Sequence, residues 1–130
     1  MEKEKKARIL VADDNEQLRQ TLAEQLREAG YDVLEAASGN DAIPLLHGKE
    51  IHLAVLDLKM PYIEGYEVLK FIKASFPRTK TIILPAYSDL KNTKRCRDLG
   101  ADEVMGKPYN IEELFARIRA LLESPGGVPR

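Results

Sequence analysis

The sequence predicts a doubly wound, five-stranded parallel sheet with helices on both faces. Five short apolar runs alternate strictly with five helical patterns along the chain, the order that right-handed crossovers turn into a covered parallel sheet. The runs are Arg8–Ala12, Asp32–Ala36, His52–Leu58, Thr81–Leu84 and Glu103–Met105. Several are continuous rather than alternating, notably Leu53-Ala54-Val55-Leu56 and Ile82-Ile83-Leu84, as expected of strands buried on both sides. The helical segments also carry start and stop signals at their ends.

The first strand runs into Asp13 and Asp14, and the first helix follows from Asn15 to Ala29. Leu18, Leu22, Leu26 and Ala29 fall on one stripe, and Gly30 supplies the left-handed stop. After the second strand, Ser38 with Asp41 three residues on reads as a helix cap. Pro44 inside that pattern predicts a shortened, kinked or displaced second helix. The third strand leads into Asp57, and the third helix spans about Gly65–Ser75 with Val68, Leu69 and Ile72 inward. The fourth strand ends at Pro85-Ala86, and the fourth helix, about Asp89–Leu99, has the weakest apolar stripe. The fifth strand leads to Lys107-Pro108. Asn110 with Glu113 then caps the last helix, whose face is Ile111, Leu114, Phe115, Ile118, Leu121 and Leu122. We read residues 1–6 as a charged N-terminal segment, 7–123 as one domain and 124–130 as a Pro/Gly-rich tail or linker start.

Composition narrows the function. At 130 residues, 44% apolar and 32% charged, the chain is one ordinary globular domain. Twenty Lys and Arg against 21 Asp and Glu give a net charge of −1, so no direct nucleic-acid partner is expected through bulk charge. The single cysteine, Cys96, can form neither an internal disulfide nor a multi-cysteine zinc site, and is expected to be a small buried helix residue. His47 and His52 have no ligand-spaced companion. The apolar run after Lys3, Lys5 and Lys6 is only Ile9–Ala12, far short of a membrane span, so no membrane association and a cytoplasmic location are expected.

Ligands of open parallel sheets bind past the carboxyl ends of the strands. Those ends carry Asp13, Asp14, Asp57 and Lys107, so three carboxylates and one ammonium are expected to meet at one edge. Two like charges about 4 Å apart repel by roughly 4 kcal/mol at an effective dielectric near 20. A hard divalent cation with oxygen ligands relieves this, and Mg2+ needs only one or two carboxylates plus water. Lys107 adds a second positive charge for an anionic group on Asp57, whose carboxylate can attack phosphorus to give an acyl phosphate.

Ile9-Leu10-Val11-Ala12-Asp13-Asp14, then Leu56-Asp57-Leu58-Lys59-Met60-Pro61 with Gly65, then Gly100-Ala101-Asp102 leading to Lys107-Pro108, resemble the receiver domain of two-component response regulators, a flavodoxin-like fold. The resemblance spans about residues 7–122. It implies that Asp57 is the phosphoacceptor, receiving its phosphoryl group from a histidine kinase or phosphotransfer protein in a Mg2+-dependent step. It further implies Asp14 and Asp57 as direct Mg2+ ligands, the Lys59 carbonyl as another, and Asp13 as a ligand through water. Lys107 and the Ala86 backbone N–H are implied as phosphoryl-binding groups, and the Lys107-Pro108 bond as cis. A C-terminal output domain beyond the tail is a further implied partner.

Two positions depart from the pattern. Receivers carry Thr or Ser at the end of the fourth strand, where this chain has Pro85, and an aromatic residue where it has Val104. Proline offers neither hydroxyl nor N–H, and Ser88 lies up to about 10 Å further along the chain. The phosphorylation residues remain, while the usual coupling to the fourth-helix and fifth-strand surface lacks both parts. The alternative reading is a phosphorylation-independent docking module. Lys59 and Tyr87 border the site in this arrangement, and Lys91, Lys94, Arg95 and Arg97 read as a solvated helical face. An aspartyl-phosphate hydrolase is excluded because Lys59 stands where its general acid would be, and a nucleotide-binding turn is excluded by Asp-Asp-Asn in place of glycines.

Overall fold

The computed structural model describes residues 6–60, 64–86 and 92–123. The elements run β1 (Arg8–Ala12), α1 (Glu16–Glu28), β2 (Asp32–Ala36), α2 (Gly39–Gly48), β3 (Leu53–Leu56), α3 (Gly65–Ser75), β4 (Lys80–Ile83), α4 (Thr93–Asp98), β5 (Glu103–Val104) and α5 (Ile111–Glu123). All strand pairs are parallel, in the order β2-β1-β3-β4-β5. The chain grows outward from β1 to β2 and then crosses back to β3, so its direction reverses between β1 and β3. That reversal opens a crevice at their carboxyl ends.

Successive residues of a strand point to opposite faces, and the continuous apolar runs therefore feed two cores. Leu10, Ala12, Ala54, Leu56 and Ile83 pack with Ala42, Leu46, Val68, Leu69 and Ile72 of α2 and α3 and with Cys96. Ile9, Val11, Leu53, Val55 and Ile82 pack with Leu22, Ala23 and Leu26 of α1 and Leu114, Ile118 and Leu122 of α5. β1 and β2 coincide with the expected runs, whereas β3 and β5 are shorter than theirs and β4 ends one residue earlier, because beyond them single backbone bonds replace the ladder. Leu84 N–H reaches Leu56 O at 2.9 Å, and Met105 N–H reaches Ile83 O at 2.9 Å.

Ser38 and Asn110 cap their helices as expected, and Asn15, expected as the first residue of the first helix, is its cap. Asn15 accepts from Leu18 N–H at 3.0 Å, Ser38 from Asp41 N–H at 3.2 Å, and Asn110 from Glu113 N–H at 3.0 Å. Gly30 sits at φ +102°, the left-handed conformation that ends α1. The α2 helix runs through Pro44 to Gly48. The bond that proline deletes would have used the carbonyl of Asn40, whose residue is exposed, so water can serve that oxygen.

The α1 stripe differs from the expectation. Leu18 is 48% exposed and Ala29 is also exposed, while Ala23 takes an inward place. Leu18 lies in the first turn, at the rim of the crevice with Asp57 and Lys107, where the sheet beneath has ended. The described part of the fourth helix is Thr93–Asp98. Its predicted start at Asp89 lies outside the described residues, as do Pro61, Tyr87, Ser88, Lys91, most of the 1–6 segment and the 124–130 tail.

The start of β5 is held by a buried network. The Asp102 carboxylate accepts from Thr81 N–H at 2.8 Å and from Lys73 Nζ at 3.0 Å. At the start of α3, Gly65 N–H bonds Leu58 O at 3.0 Å. A Cβ on Gly65 would overlap the Asp57 carbonyl oxygen and lie 2.9 Å from Leu58 Cα. Both are backbone atoms, so nothing flexible can yield. Gly65→Ala is expected to lower stability by about 1–3 kcal/mol, read as a reduced urea midpoint, whereas Gly48→Ala, with open space around it, should leave the midpoint within error or raise it.

Candidate functional site

The carboxyl ends of β1 and β3 place Asp13, Asp14 and Asp57 together. Asp13 N–H bonds Ala36 O of β2 at 3.0 Å, and Asp57 N–H bonds Ala12 O of β1 at 2.9 Å, so each aspartate is set by the last rung of the sheet. Among the described residues, these three offer carboxylate oxygens all within 4.8 Å of one another. Asp13 and Asp57 are buried, and Asp14 stands exposed at the rim.

Lys107 arrives from the segment after β5. Its N–H donates to Pro85 O at 2.8 Å, and the Lys107-Pro108 peptide bond is cis. Its ammonium lies 2.9 Å from Asp13 Oδ2 and 3.6 Å from Asp57 Oδ1. Asp13 Oδ1 meanwhile accepts from Asn15 N–H at 2.9 Å. Asp13 is thus the better-compensated carboxylate and Asp57 the poorer one.

The titration behaviour follows from that asymmetry. Burial pushes Asp57 up to about 6, with the charges of Asp13 and Asp14 adding to the rise, while Lys107 and the Lys59 backbone N–H oppose it. Burial pulls Lys107 down, but its bond to Asp13 and the charges of Asp57 and Asp13 more than offset this, leaving the ammonium above the ordinary lysine value. Three carboxylates against one ammonium leave the crevice negative. A hard divalent cation fits this donor set, because oxygen ligands and uncompensated negative charge are what it requires.

Other residues named from the sequence fall around this centre. Lys59 is exposed next to Asp57, Pro85 is buried, and Ala86 is half-buried at the end of β4. Val104 is half-buried against the core on the α2–α3 side. Cys96 is fully buried, with its thiol pushed up by that burial, which disfavours thiolate chemistry. His47 packs edge-on against Phe71 and Phe76, and His52 Nδ1 accepts from Arg8 N–H at 2.8 Å. On α4, Lys94 pairs with Asp98 at 2.8 Å and Arg95 lies over the Tyr66 ring at 4.0 Å. Sequence reasoning missed two residues that line the crevice, Arg19 and Tyr109. Tyr109, two residues past Lys107, was legible from spacing, and burial raises its phenol pKa. Arg19 carried no signal, since an arginine on an amphipathic helix reads as solvated.

Comparison with known proteins points to one family. The family model described as response regulator receiver domain matches residues 9–119. Response regulator RR06 of Streptococcus pneumoniae is 41% identical over 116 residues, covering 88% of this chain and 52% of that protein. A probable transcriptional regulator, ycf27, of Porphyridium aerugineum is 39% identical over 122 residues, covering 94% and 49%. The chain therefore spans about half the length of the curated relatives it matches. Among solved structures, a response regulator receiver domain protein from Methanospirillum hungatei superposes with a TM-score of 0.85 at 29% identity, covering 89% of this chain and 93% of that one.

A carboxylate whose pKa is raised on folding weakens the fold while it is charged. The cost of Asp57 is fully present above about 6 and is gone below its ordinary value of 3.8. With divalent cations chelated, Asp57→Asn is expected to stabilise the protein by about 1–3 kcal/mol at pH 7. That gain should shrink as the pH falls through the window and vanish by about pH 4, as urea unfolding at the two pH values will show.

Proposed function

The chain belongs to the response regulator receiver domain family, and from that premise we propose that Asp57 accepts a phosphoryl group from the phosphohistidine of a sensor kinase or phosphotransfer protein. The observation that carries this is one cluster, in which the buried Asp57 carboxylate lies beside Asp13 and Asp14 and within 3.6 Å of the Lys107 ammonium.

In the proposed step a carboxylate oxygen of Asp57 attacks phosphorus. The bond from phosphorus to the donor imidazole nitrogen breaks, and the imidazole leaves with the electron pair. Asp57 must be ionised to attack, and Lys107 favours that ionised form against the burial that opposes it. After transfer, Lys107 is in reach of the new phosphoryl oxygens, and the Ala86 N–H is the backbone donor we assign to them. Asp14 and Asp57, with the Lys59 carbonyl, are the groups we assign to Mg2+, and Asp13 acts through water. Mg2+ supplies positive charge that offsets the negative charge on the phosphoryl oxygens. The chemistry uses no group from Pro85 or Val104, so acceptance of the phosphoryl group does not depend on the hydroxyl and aromatic ring that they replace.

The domain is a signalling module, and turnover is limited to its own phosphoryl transfer and slow loss of the acyl phosphate. We read residues 7–123 as the receiver and the 124–130 tail as the start of a linker to an output domain. Among the described residues no helix is long and apolar enough to cross a membrane, and we place the domain's action in the cytoplasm.

Incubation with a radiolabelled phosphorylated kinase or a labelled phosphoramidate should label the wild-type chain in Mg2+. The label should be lost in alkali and should not appear in Asp57→Asn or in EDTA. An unlabelled wild type that nonetheless binds Mg2+ contradicts the proposal.

A further inference from the structure

We propose that Arg19 is a positioning residue for the cation site, holding the peptide plane that joins Asp13 to Asp14. The inference rests on the reading of Asp13, Asp14 and Asp57 as the cation-binding set.

The Arg19 side chain is only 11% exposed, although it sits on α1 among exposed neighbours. One guanidinium nitrogen, Nη1, donates to the main-chain carbonyl of Asp13 at 3.0 Å. Its Nε donates to Glu35 Oε1 on β2 at 3.1 Å. Glu35 is held in turn from the other side by Arg27 at 3.3 Å, and Arg27 also donates to Val33 O at 3.0 Å. The guanidinium is therefore braced against β2 and directed at the turn after β1.

The carbonyl it holds belongs to the planar unit linking Asp13 and Asp14. Fixing that oxygen fixes the direction in which the chain enters Asp14. Asp13 needs little help, because its N–H, Oδ1 and Oδ2 are bonded to Ala36 O, Asn15 N–H and Lys107 Nζ. Asp14 is exposed, so its aim toward the crevice depends on the peptide plane before it.

Charge supports a geometric role over an electrostatic one. A bare guanidinium lining a cation crevice would repel the cation, and Glu35 at 3.1 Å, shared with Arg27, offsets only part of its charge, so a gain in cation affinity from the charge itself is not expected. Lysine can carry the charge but cannot present two donors in a fixed fork to the carbonyl and to Glu35 together.

The test is a calorimetric Mg2+ titration of wild type, Arg19→Met, Arg19→Lys and Glu35→Gln, with the thermal midpoint and amide spectra of each. Arg19→Met is expected to bind Mg2+ about 10-fold more weakly, in line with the loss of partners that orient metal ligands. The Asp14 amide response should be altered and the Asp57 amide response retained. Arg19→Lys should not restore the affinity. Glu35→Gln, which leaves the carbonyl bond but loosens and uncovers the guanidinium, should show a smaller loss in the same direction. A lowered midpoint with wild-type affinity in the folded variants would make Arg19 purely structural and overturn the inference. If Arg19→Met does not fold, wild-type affinity in Glu35→Gln and Arg19→Lys overturns it equally. A wild type that binds no Mg2+ instead overturns the cation-site reading beneath it.

Discussion

Mutual repulsion among three carboxylates governs this molecule's working edge. Asp13 and Asp14 follow β1, Asp57 follows β3, and those strands are neighbours because the chain reverses between them. Backbone bonds from the last rungs of the sheet hold Asp13 and Asp57 side by side. Relief must come from positive charge, and Lys107 supplies one unit of it, given mainly to Asp13. Asp57 is the least compensated of the three, and its burial, with the charges of Asp13 and Asp14 adding, pushes it up to about 6. A site that is costly to form empty is one that binds cations and anionic groups with their countercharges readily, since binding removes a cost the fold already bears.

The frame that sustains this strain is stiff where it touches the aspartates. The start of α3 is pressed against the Asp57 backbone closely enough to admit only glycine at position 65. β5 is short, yet Asp102 ties it to Thr81 of β4 and Lys73 of α3. The Lys107 N–H ties the segment after β5 to Pro85. Pro85 therefore serves the site through its carbonyl, by fixing the backbone from which Lys107 reaches inward.

Much of this was legible in the sequence, for physical reasons that differ by element. The order of apolar runs and caps such as Ser38 and Asn110 are written locally, and these caps form as read. The convergence of Asp13, Asp14, Asp57 and Lys107 followed from a topological rule, since all four follow strand ends. Leu18 was misplaced because periodicity reports which face a residue shares and not where the sheet beneath stops. Arg19 was missed because its partners, a carbonyl of β1's turn and Glu35 of β2, are set by tertiary packing alone. Pro44 does not end α2, because its lost bond falls on an exposed turn.

The central claim is that Asp57 is a strained, cation-seeking carboxylate. Carboxyl carbon spectra of aspartate-labelled protein, titrated from pH 3 to pH 9 (roughly, as the acid range requires) with and without Mg2+, test it most directly. The account predicts that Asp57 titrates near about 6 without the cation and clearly lower with saturating Mg2+. An Asp57 that titrates in the ordinary carboxylate range and does not move with Mg2+ would contradict it.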